Sequence, residues 1–367
     1  MVSVFLLCSV TGPGEGSSLF AGSSFLVIEP KVFAGSAFEV GFERSRGLGP
    51  LPMPKVEEAD IAFARACQQA VADLCPPLID LYAGFLEGGG WDEETFLVYY
   101  FARRQGMLRG CTNLAVLPVA TLEGETLIGR NYDWAYSDLE FCESRAIVVE
   151  GRLPFVSYTH HWIGHPDCLN QAGLFVAISS LPAYVADRPG IQWNLLVDAI
   201  AMTCRTVQEA VELLSSVEHL RAMTYLLADA SDAAAVDVTA EGVVVREPED
   251  GIVIATNHPV GSSDGTDRTR HSVARYDRAR ERLLECTPDI EEDDIKRVLT
   301  DPVCTIRDGK RFLHELDHVP LAAKEDWGTI WSTIGRPLQG RLEIAEGHPL
   351  DVEYVRVNWD PTQTTKV

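Results

Sequence analysis

The order of helical and strand-like segments along this chain is the feature that most restricts its fold. Apolar residues recur at helical spacing from Val56 to about Leu74, and two further helical pieces extend to Gln105. Short apolar runs separated by turn residues follow from Cys111 onwards. A helical block at 193–217, four short strands, a helix at 272–285 and a final hairpin complete the pattern. Because strands and helices come in runs instead of strict alternation, the sequence predicts an α+β layered sandwich of largely antiparallel sheets.

Local signals place several boundaries. An early strand is expected over 24–33, and the prolines at 76 and 77 should break the first long helix. Asp92 is a candidate N-cap, Gly124 a hairpin turn residue, and the T-x-x-E sequence at 206–209 a capping box. These signals divide the chain into a mostly helical first third and a β-rich remainder.

The composition restricts the partners and the compartment. The 367 residues carry a formal net charge of −23, which disfavours nucleic acids and anionic membrane surfaces as partners. Nine cysteines without a C-x-x-C pair indicate a reducing compartment, and no apolar stretch approaches the roughly 20 residues that a transmembrane helix needs. The apolar N-terminus lacks basic residues before it and a small-residue cleavage site after it. We therefore expect a cytoplasmic protein in preference to a secreted one.

A nucleophilic residue stands at the head of the first apolar strand of the β-rich region. Cys111 follows Gly110 directly and opens the run "CTNLAV". A buried cysteine is most often a small apolar core residue, but Gly110 permits a strained backbone at the peptide that a thiol could attack. The returning hairpin strand, "GRNYDW", brings Arg130 and Asp133 towards the same strand ends. A thiol, a cation and a carboxylate are the components of an amide-cleaving site.

Five motifs in order carry a family resemblance: "RGCT", "GRNYDW", "CLNQAGLFVAISSLP", "ATNHP" and "HSVARYDRARERL". With them, the sequence resembles the acyl-coenzyme A:6-aminopenicillanic acid acyltransferase family, peptidase family C45, of the N-terminal nucleophile hydrolases. It is similar, more distantly, to the choloylglycine hydrolases and penicillin V acylases. The resemblance extends from about residue 34 to the end of the chain.

The resemblance implies a four-layer αββα sandwich of two mostly antiparallel sheets. It also implies a precursor that cleaves itself between Gly110 and Cys111. Residues 1–110 would then form a mostly helical leader or small subunit, and residues 111–367 the catalytic subunit. Such an enzyme cleaves or transfers the acyl group of a linear amide through a thioester on Cys111. The new α-amine of Cys111 serves as the general base, since an α-amine has a pKa of about 7.7–8.0.

Site residues are carried over by motif. In addition to the nucleophile Cys111, the resemblance implies catalytic roles for three residues. Asp133 would orient the α-amine, Arg130 would favour the thiolate, and Asn257 would donate to the oxyanion. Substrate contacts are expected from four further residues: Asn170, Tyr132, Trp134 and Arg275.

The implied reaction needs no cofactor and no metal. The expected partner is a small-molecule amide or acyl donor, and the processed subunits are expected to be able to stay associated. The loop "AYSDLEFCE" after the second motif is acidic and polar, which disfavours a penicillin-like or bile-salt substrate. Neither the acyl group nor the amine can be read from the sequence, because pockets are built from variable loops.

Two alternatives belong to other functional classes. The segment "HHWIGHPDC" places His160, His161, His165 and Cys168 within nine residues, and imidazoles with a thiolate can ligate zinc. Adjacent histidines on a strand point to opposite faces, so at most three of these four could converge. The second alternative is a non-catalytic member of the fold that only binds a ligand.

Overall fold

The structure is a computed structural model, which describes residues 26–48, 55–103, 110–161, 163–260, 270–309 and 326–360. The described chain forms fifteen strands and eight α-helices. The strands are β1 Val27–Ile28, β2 Lys31–Gly35, β3 Cys111–Val116, β4 Leu127–Ala135, β5 Glu143–Val149, β6 Phe155–Thr159, β7 Asp167–Asn170, β8 Phe175–Val185, β9 Arg221–Ala228, β10 Ala233–Thr239, β11 Gly242–Arg246, β12 Ile252–Ala255, β13 Trp327–Arg336, β14 Arg341–Ala345 and β15 Val355–Val357. The helices are α1 Ala37–Ser45, α2 Glu58–Leu74, α3 Pro77–Gly89, α4 Glu93–Ala102, α5 Trp193–Thr203, α6 Val207–Ser215, α7 Arg270–Leu284 and α8 Glu292–Thr300.

Two sheets stack face to face between layers of helices. One has seven strands in the order β1-β15-β14-β13-β4-β3-β12, and the other has eight in the order β11-β10-β9-β8-β7-β6-β5-β2. All strand pairs are antiparallel except β1 with β15 and β2 with β5. An apolar core joins the sheets, a second core packs α1 to α6 against the eight-stranded sheet, and a third packs α7 and α8 against the seven-stranded sheet. The expected αββα sandwich is confirmed.

Most local signals in the helical region act as expected. Helix α2 ends at Leu74, before the prolines, and Pro77 occupies the first turn of α3. Asp92 caps α4 by accepting a 2.9 Å hydrogen bond from the Thr95 backbone N–H. Gly90 ends α3 with a φ of 61°, in the left-handed region that glycine adopts without strain.

Some predicted boundaries are wrong. Residues 24 and 25 of the strand expected over 24–33 lie outside the described residues, and the rest is divided at Pro30 into β1 and β2, which join different sheets. The apolar run "TNLAVLPVA" predicts a strand as far as Ala120, but β3 ends at Val116 because Pro118, which has no N–H to donate to a neighbouring strand, starts a short 3-10 turn. The helical block expected at 193–217 is confirmed as two helices, and the second is capped by the expected Thr206.

Strand alternation in β3 decides which residues face each layer. Cys111, Asn113 and Ala115 point between the sheets, whereas Leu114 and Val116 belong to the core under α7 and α8. Strands β3 and β4 pair directly, with Cys111 opposite Tyr132. The first residue of β3 therefore lies at one end of the seam between the two sheets. Among the described residues, no helix is both long and apolar enough to cross a membrane.

Candidate active site

The Gly110–Cys111 peptide is buried and held on both sides. The Gly110 carbonyl accepts a 2.9 Å hydrogen bond from the Asp133 backbone N–H, and the Cys111 N–H donates to Asn257 Oδ1 at 2.7 Å. A Cβ added to Gly110 would lie 2.9 Å from the Asp133 Cβ, so only glycine fits. Gly110 is not among the described glycines with a positive φ. Glycine is needed at this position because Asp133 lies so close, and not because the backbone has an unusual conformation.

Asn257 and Arg275 form the wall behind this peptide. Asn257 follows β12, and its side-chain amide donates to the Ser180 carbonyl at 2.9 Å. Arg275, on α7, donates from Nη2 to Asn257 Oδ1 at 2.7 Å and from Nη1 to the Cys111 carbonyl oxygen and to Thr112 Oγ1. Asn257 Oδ1 therefore accepts two hydrogen bonds, one from the Cys111 N–H and one from Arg275.

The Cys111 thiol lies in an electrostatically mixed environment. Burial raises the pKa of the thiol, Arg130 and Arg275 lower it, and Asp133 raises it. Arg130 is fully buried on β4 and pairs with Asp167 at 3.1 Å between Nε and Oδ2. Its Nη1 donates to the Pro166 carbonyl at 3.2 Å. A cation is thus fixed between the sheets close enough to the thiol to favour its ionised form.

Asp133 is a buried carboxylate with one open oxygen. Its Oδ1 accepts a 2.6 Å hydrogen bond from Thr329 Oγ1, whereas Oδ2 has no partner among the described residues. Burial raises the pKa of Asp133 to about 7, and Arg275, Thr329 and Arg130 oppose that rise. The open oxygen lies 3.0 Å from the position that a Gly110 Cβ would occupy, beside the peptide bond in question.

Aromatic and imidazole rings surround Tyr132, opposite Cys111. Tyr132 stacks on Trp331 with a centroid distance of 3.9 Å, and the half-buried Trp134 lies 5.3 Å from Trp327. The Tyr132 hydroxyl is 3.1 Å from His160 Nε2 and 2.9 Å from His161 Nε2. Tyr132 and Trp134 therefore belong to the same cluster as Cys111.

The four expected zinc ligands do not converge. His160 and His161 follow the end of β6 and both turn towards Tyr132, contrary to the expectation that adjacent histidines diverge. His165 points to the helical layer, where its Nδ1 lies 2.7 Å from Asp198 Oδ1, and Cys168 is buried in the core on that side. Among the described residues, no group of three or more His, Cys, Asp or Glu side chains could hold a metal ion.

Asn170 lies away from this cluster. Its side-chain amide donates to the Ala201 and Cys204 carbonyls at the end of α5, at 3.1 and 2.7 Å. Its Oδ1 accepts from the backbone N–H groups of Ala172 and Leu174, both at 3.0 Å. All four side-chain hydrogen bonds hold the turn between β7 and β8 against α5, on the side of the sheet opposite Cys111.

The structure adds three supporting residues that the motifs did not identify as such. Asp167 fixes Arg130, Thr329 fixes Asp133, and Ser272 Oγ accepts the Asn257 N–H at 2.6 Å. Ser272 lies in the first turn of α7, one helical turn before Arg275. Ser272 lies within a quoted motif and Asp167 directly before one, whereas Thr329 is far from all of them, and nothing in their spacing distinguishes the three from ordinary polar residues.

Comparisons with known proteins show a similarity in family and in fold. The model of the acyl-coenzyme A:6-aminopenicillanic acid acyl-transferase family matches residues 120–349, a range that includes Arg130, Asp133, Asn257 and Arg275 and begins after Cys111. No curated protein sequence matches the chain significantly.

Three solved structures are similar to this chain at low sequence identity. A variant of the conjugated bile acid hydrolase from Clostridium perfringens is 14% identical, with 68% of this chain and 98% of that chain covered and a TM-score of 0.50. The Caenorhabditis elegans N-acylethanolamine-hydrolyzing acid amidase ortholog is 15% identical, with 62% and 93% covered and a TM-score of 0.44. The penicillin V acylase from Agrobacterium tumefaciens is 14% identical, with 64% and 83% covered and a TM-score of 0.43.

The first of these similarities shows a shared fold. The family match covers well over half of the 367 residues, including β4 to β14 and helices α5 to α8. This chain therefore belongs to the acyl-coenzyme A:6-aminopenicillanic acid acyl-transferase family and has the N-terminal nucleophile hydrolase fold.

Proposed function

We propose that this protein is a self-processing cysteine enzyme that cleaves or transfers the acyl group of a linear amide. Its nucleophile is the Cys111 thiol, released at a new N-terminus by cleavage after Gly110. The observation that carries the proposal is the peptide bond held between the Asp133 N–H and Asn257 Oδ1, next to a buried thiol and the buried cation Arg130.

Self-cleavage follows from these contacts. The Cys111 sulfur attacks the Gly110 carbonyl carbon, and the Asp133 N–H, already 2.9 Å from the carbonyl oxygen, stabilises the negative charge that develops there. The carbon–nitrogen bond breaks, and the nitrogen takes up the proton that the thiol has lost. Gly110 is then a thioester on Cys111. Water hydrolyses that ester to a Gly110 carboxylate and a free thiol.

The same groups serve substrate turnover after cleavage. The new α-amine remains within reach of Asn257 Oδ1, and the open Oδ2 of Asp133 accepts its second hydrogen bond. Because burial raises the pKa of the thiol, a base is needed to ionise it, and the α-amine of the same residue supplies that base. Arg130, held by Asp167, offsets the charge of the thiolate.

The leader would remain part of the enzyme. Residues 1–110 form the small subunit in this proposal, and residues 111–367 the catalytic subunit. Its support is that β2 pairs with β5 at the edge of the eight-stranded sheet and that α1 to α4 contribute to the core on that sheet.

Intact-mass spectrometry of the purified protein tests self-processing. We expect two polypeptides whose masses correspond to division between Gly110 and Cys111, and labelling of the second at its N-terminal cysteine by an electrophilic amide analogue. The matched control is Cys111→Ala, which should give a folded, uncleaved and unlabelled chain. A single full-length species in the wild type that also resists labelling would overturn the proposal. An unfolded Cys111→Ala chain would instead identify Cys111 as mainly a core residue.

A further inference from the structure

A series of side-chain hydrogen bonds joins Asp133 to a histidine in the turn between β14 and β15. Thr329 Oγ1, on β13, donates to Asp133 Oδ1 at 2.6 Å. Thr305, which follows α8, has its Oγ1 3.2 Å from Thr329 Oγ1 and 3.1 Å from His348 Nε2. All four side chains are buried. We call these four residues the Asp133–His348 network.

The backbone determines which His348 nitrogen carries a proton. The Leu350 N–H donates to His348 Nδ1 at 3.3 Å, and the Arg307 guanidinium, which can only donate, lies 3.5 Å from the same atom. Asp351 Oδ2 is 4.0 Å from Nδ1, beyond hydrogen-bond distance. Nδ1 is therefore an acceptor, and the ring proton is on Nε2. A second proton would add to Nδ1 and leave Nε2–H in place, so His348 donates to Thr305 in either charge state.

The two threonine hydroxyls pass this direction on. Thr305 Oγ1 accepts from His348, and its single proton is donated to Thr329. Thr329 Oγ1 also accepts from the Ile306 N–H at 2.9 Å, so both of its lone pairs are used. Its own proton therefore goes to Asp133 Oδ1. A proton that binds to Asp133 must be on Oδ2, the oxygen without a partner among the described residues.

The choice of oxygen matters because Oδ2 lies beside the Gly110–Cys111 peptide. Ionised Asp133 accepts from the Cys111 α-amine at Oδ2, and the amine keeps its lone pair for the thiol proton. Protonated Asp133 would instead donate from Oδ2 to that lone pair and block the base. A hydrogen bond donated to Oδ1 favours the ionised carboxylate. It opposes burial, which raises the pKa of Asp133 to about 7.

We propose that His348 and Thr305 are positioning residues for Asp133. They orient the Thr329 hydroxyl towards Oδ1, and so keep Oδ2 ionised and available to the Cys111 amine. Neither residue touches the reacting atoms. The inference rests on the proposed role of that amine, but the network is complete in the uncleaved protein and can be measured there.

Carbon-13 NMR of the aspartate carboxyl groups measures the network without any catalytic step. In the uncleaved Cys111→Ala protein, the Asp133 signal is assigned by its loss in Asp133→Asn and should titrate near pH 7. Thr305→Val should raise this midpoint by roughly half a pH unit, about a threefold change in proton affinity, because each bond in a series strengthens the next by roughly 10–30%. His348→Phe should shift it in the same direction. An unchanged midpoint in both variants would overturn the inference.

Conservative variants separate hydrogen bonding from packing. Thr305→Ser keeps the hydroxyl, and His348→Gln places an amide N–H near the Nε2 position, so both should titrate like the parent protein. His348→Gln and His348→Phe both remove the acceptor of the Leu350 N–H, and they differ in the donor to Thr305. Equal midpoints for these two variants contradict the assignment. So does a Thr305→Val, His348→Phe double variant whose shift exceeds that of Thr305→Val alone.

The charges around the network stay the same in this comparison. The groups that interact with the Asp133 carboxyl are Arg130, Arg275, Cys111, Tyr136 and Cys304, and those that interact with the His348 ring are Arg307 and Asp351. None of the substitutions replaces any of them except Cys111, which every protein compared lacks. Nitrogen-15 NMR of the His348 ring adds a direct check, since a proton on Nδ1 with none on Nε2 would overturn the inference.

Self-processing separates this inference from the proposed function. In the cleaved enzyme, the rate of Cys111 alkylation by iodoacetamide should fall at low pH, and the midpoint of that fall should move to higher pH in Thr305→Val but not in Thr305→Ser. A protein that never cleaves but shows the shifted Asp133 titration retains the network and overturns the proposed function. A cleaved protein with one Asp133 midpoint in all variants does the reverse. Circular dichroism and thermal unfolding confirm the fold of each variant first.

Discussion

At the scale of single residues, the Gly110–Cys111 peptide is defined by neighbours that are far away in sequence. Its carbonyl oxygen is bound by Asp133 in β4, and its N–H by Asn257 after β12. Arg275 on α7 then binds both Asn257 and the Cys111 carbonyl. Three separate elements therefore fix one peptide bond, which limits the geometries that it can adopt during attack by its own thiol.

The buried carboxylate of Asp133 predicts a pH-dependent stability of the uncleaved chain. Its pKa is about 7 in the folded state, because of burial, against about 3.9 in the unfolded state. Between these values the folded state binds a proton that the unfolded state has released, so stability falls as the pH rises from about 4 to about 7. Above pH 7 Asp133 is ionised in both states, so its contribution to the free energy of unfolding no longer changes with pH.

Asp133→Asn, made in a Cys111→Ala background to prevent cleavage, should remove this dependence. As the pH rises from 4 to 7, the free energy of unfolding of the chain that keeps Asp133 should fall by up to about 4 kcal/mol relative to that of the Asp133→Asn chain. Urea unfolding at several pH values measures it, and titrations common to both chains, such as those of Asp167 and His165, cancel. A difference that does not change with pH would show that Asp133 is ionised throughout.

Part of the site could be predicted from motifs, and part could not. Cys111, Arg130, Asp133, Asn257 and Arg275 come from quoted motifs, and the structure brings them together. Their supporting partners were not recognisable, because an ion pair such as Arg130 with Asp167 depends on how two sheets stack. The face of the sheet on which the Asn170 side chain lies, at the end of β7, depends on the same packing.

At the scale of elements, helices α1 and α3 pack backbone to backbone through glycine. A Cβ on Gly84 would lie 2.0 Å from the Phe38 carbonyl oxygen, and one on Gly41 would lie 2.2 Å from the Leu81 carbonyl oxygen. Real Cβ atoms do not approach backbone oxygens so closely. The two helices must therefore separate if either glycine gains a side chain.

Gly84→Ala should destabilise the chain by about 1–3 kcal/mol, although alanine is the better helix former. Glu87→Ala is the matched control, since Glu87 is exposed on the same helix, and we expect it to change the free energy of unfolding by less than about 0.5 kcal/mol. Both measurements use urea unfolding in the Cys111→Ala background. Equal effects of the two substitutions would contradict the close packing of α1 on α3.

Helix α8 shows why some elements were not predicted. It begins after Glu291, which is not a residue typical of an N-cap, and its first turn is a run of acids. The Glu291 backbone N–H donates to Asp294 Oδ2 at 2.8 Å, so a side chain in the first turn of the helix binds the N–H group that precedes it. Segments with ordinary signals, such as Asp92 before α4 or Thr206 before α6, were placed correctly.

At the scale of the whole molecule, the segment before Gly110 is built into both sheets. Strand β1 pairs with β15 at the edge of the seven-stranded sheet, and β2 pairs with β5 at the edge of the eight-stranded sheet. Helices α3 and α4 contribute buried aromatic residues to the core that also holds α5, with Phe85, Phe96 and Phe101 almost fully enclosed. This interface resembles the interior of a domain and not a contact between separable parts.

Cleavage after Gly110 should therefore leave a stable two-chain protein. We expect the fragments to elute as one species in size-exclusion chromatography and native mass spectrometry, and to separate only in denaturant, because leaving would expose the apolar core under α1 to α4. Phe96→Asp, which places a charge in that core, should weaken the association, whereas Glu94→Gln on the exposed side of α4 should not. If the fragments separate in native buffer while the catalytic part remains folded, the leader is a removable propeptide. If they stay together and share a single unfolding transition, both sheets depend on residues from each side of the cleaved bond, and the leader is a permanent subunit.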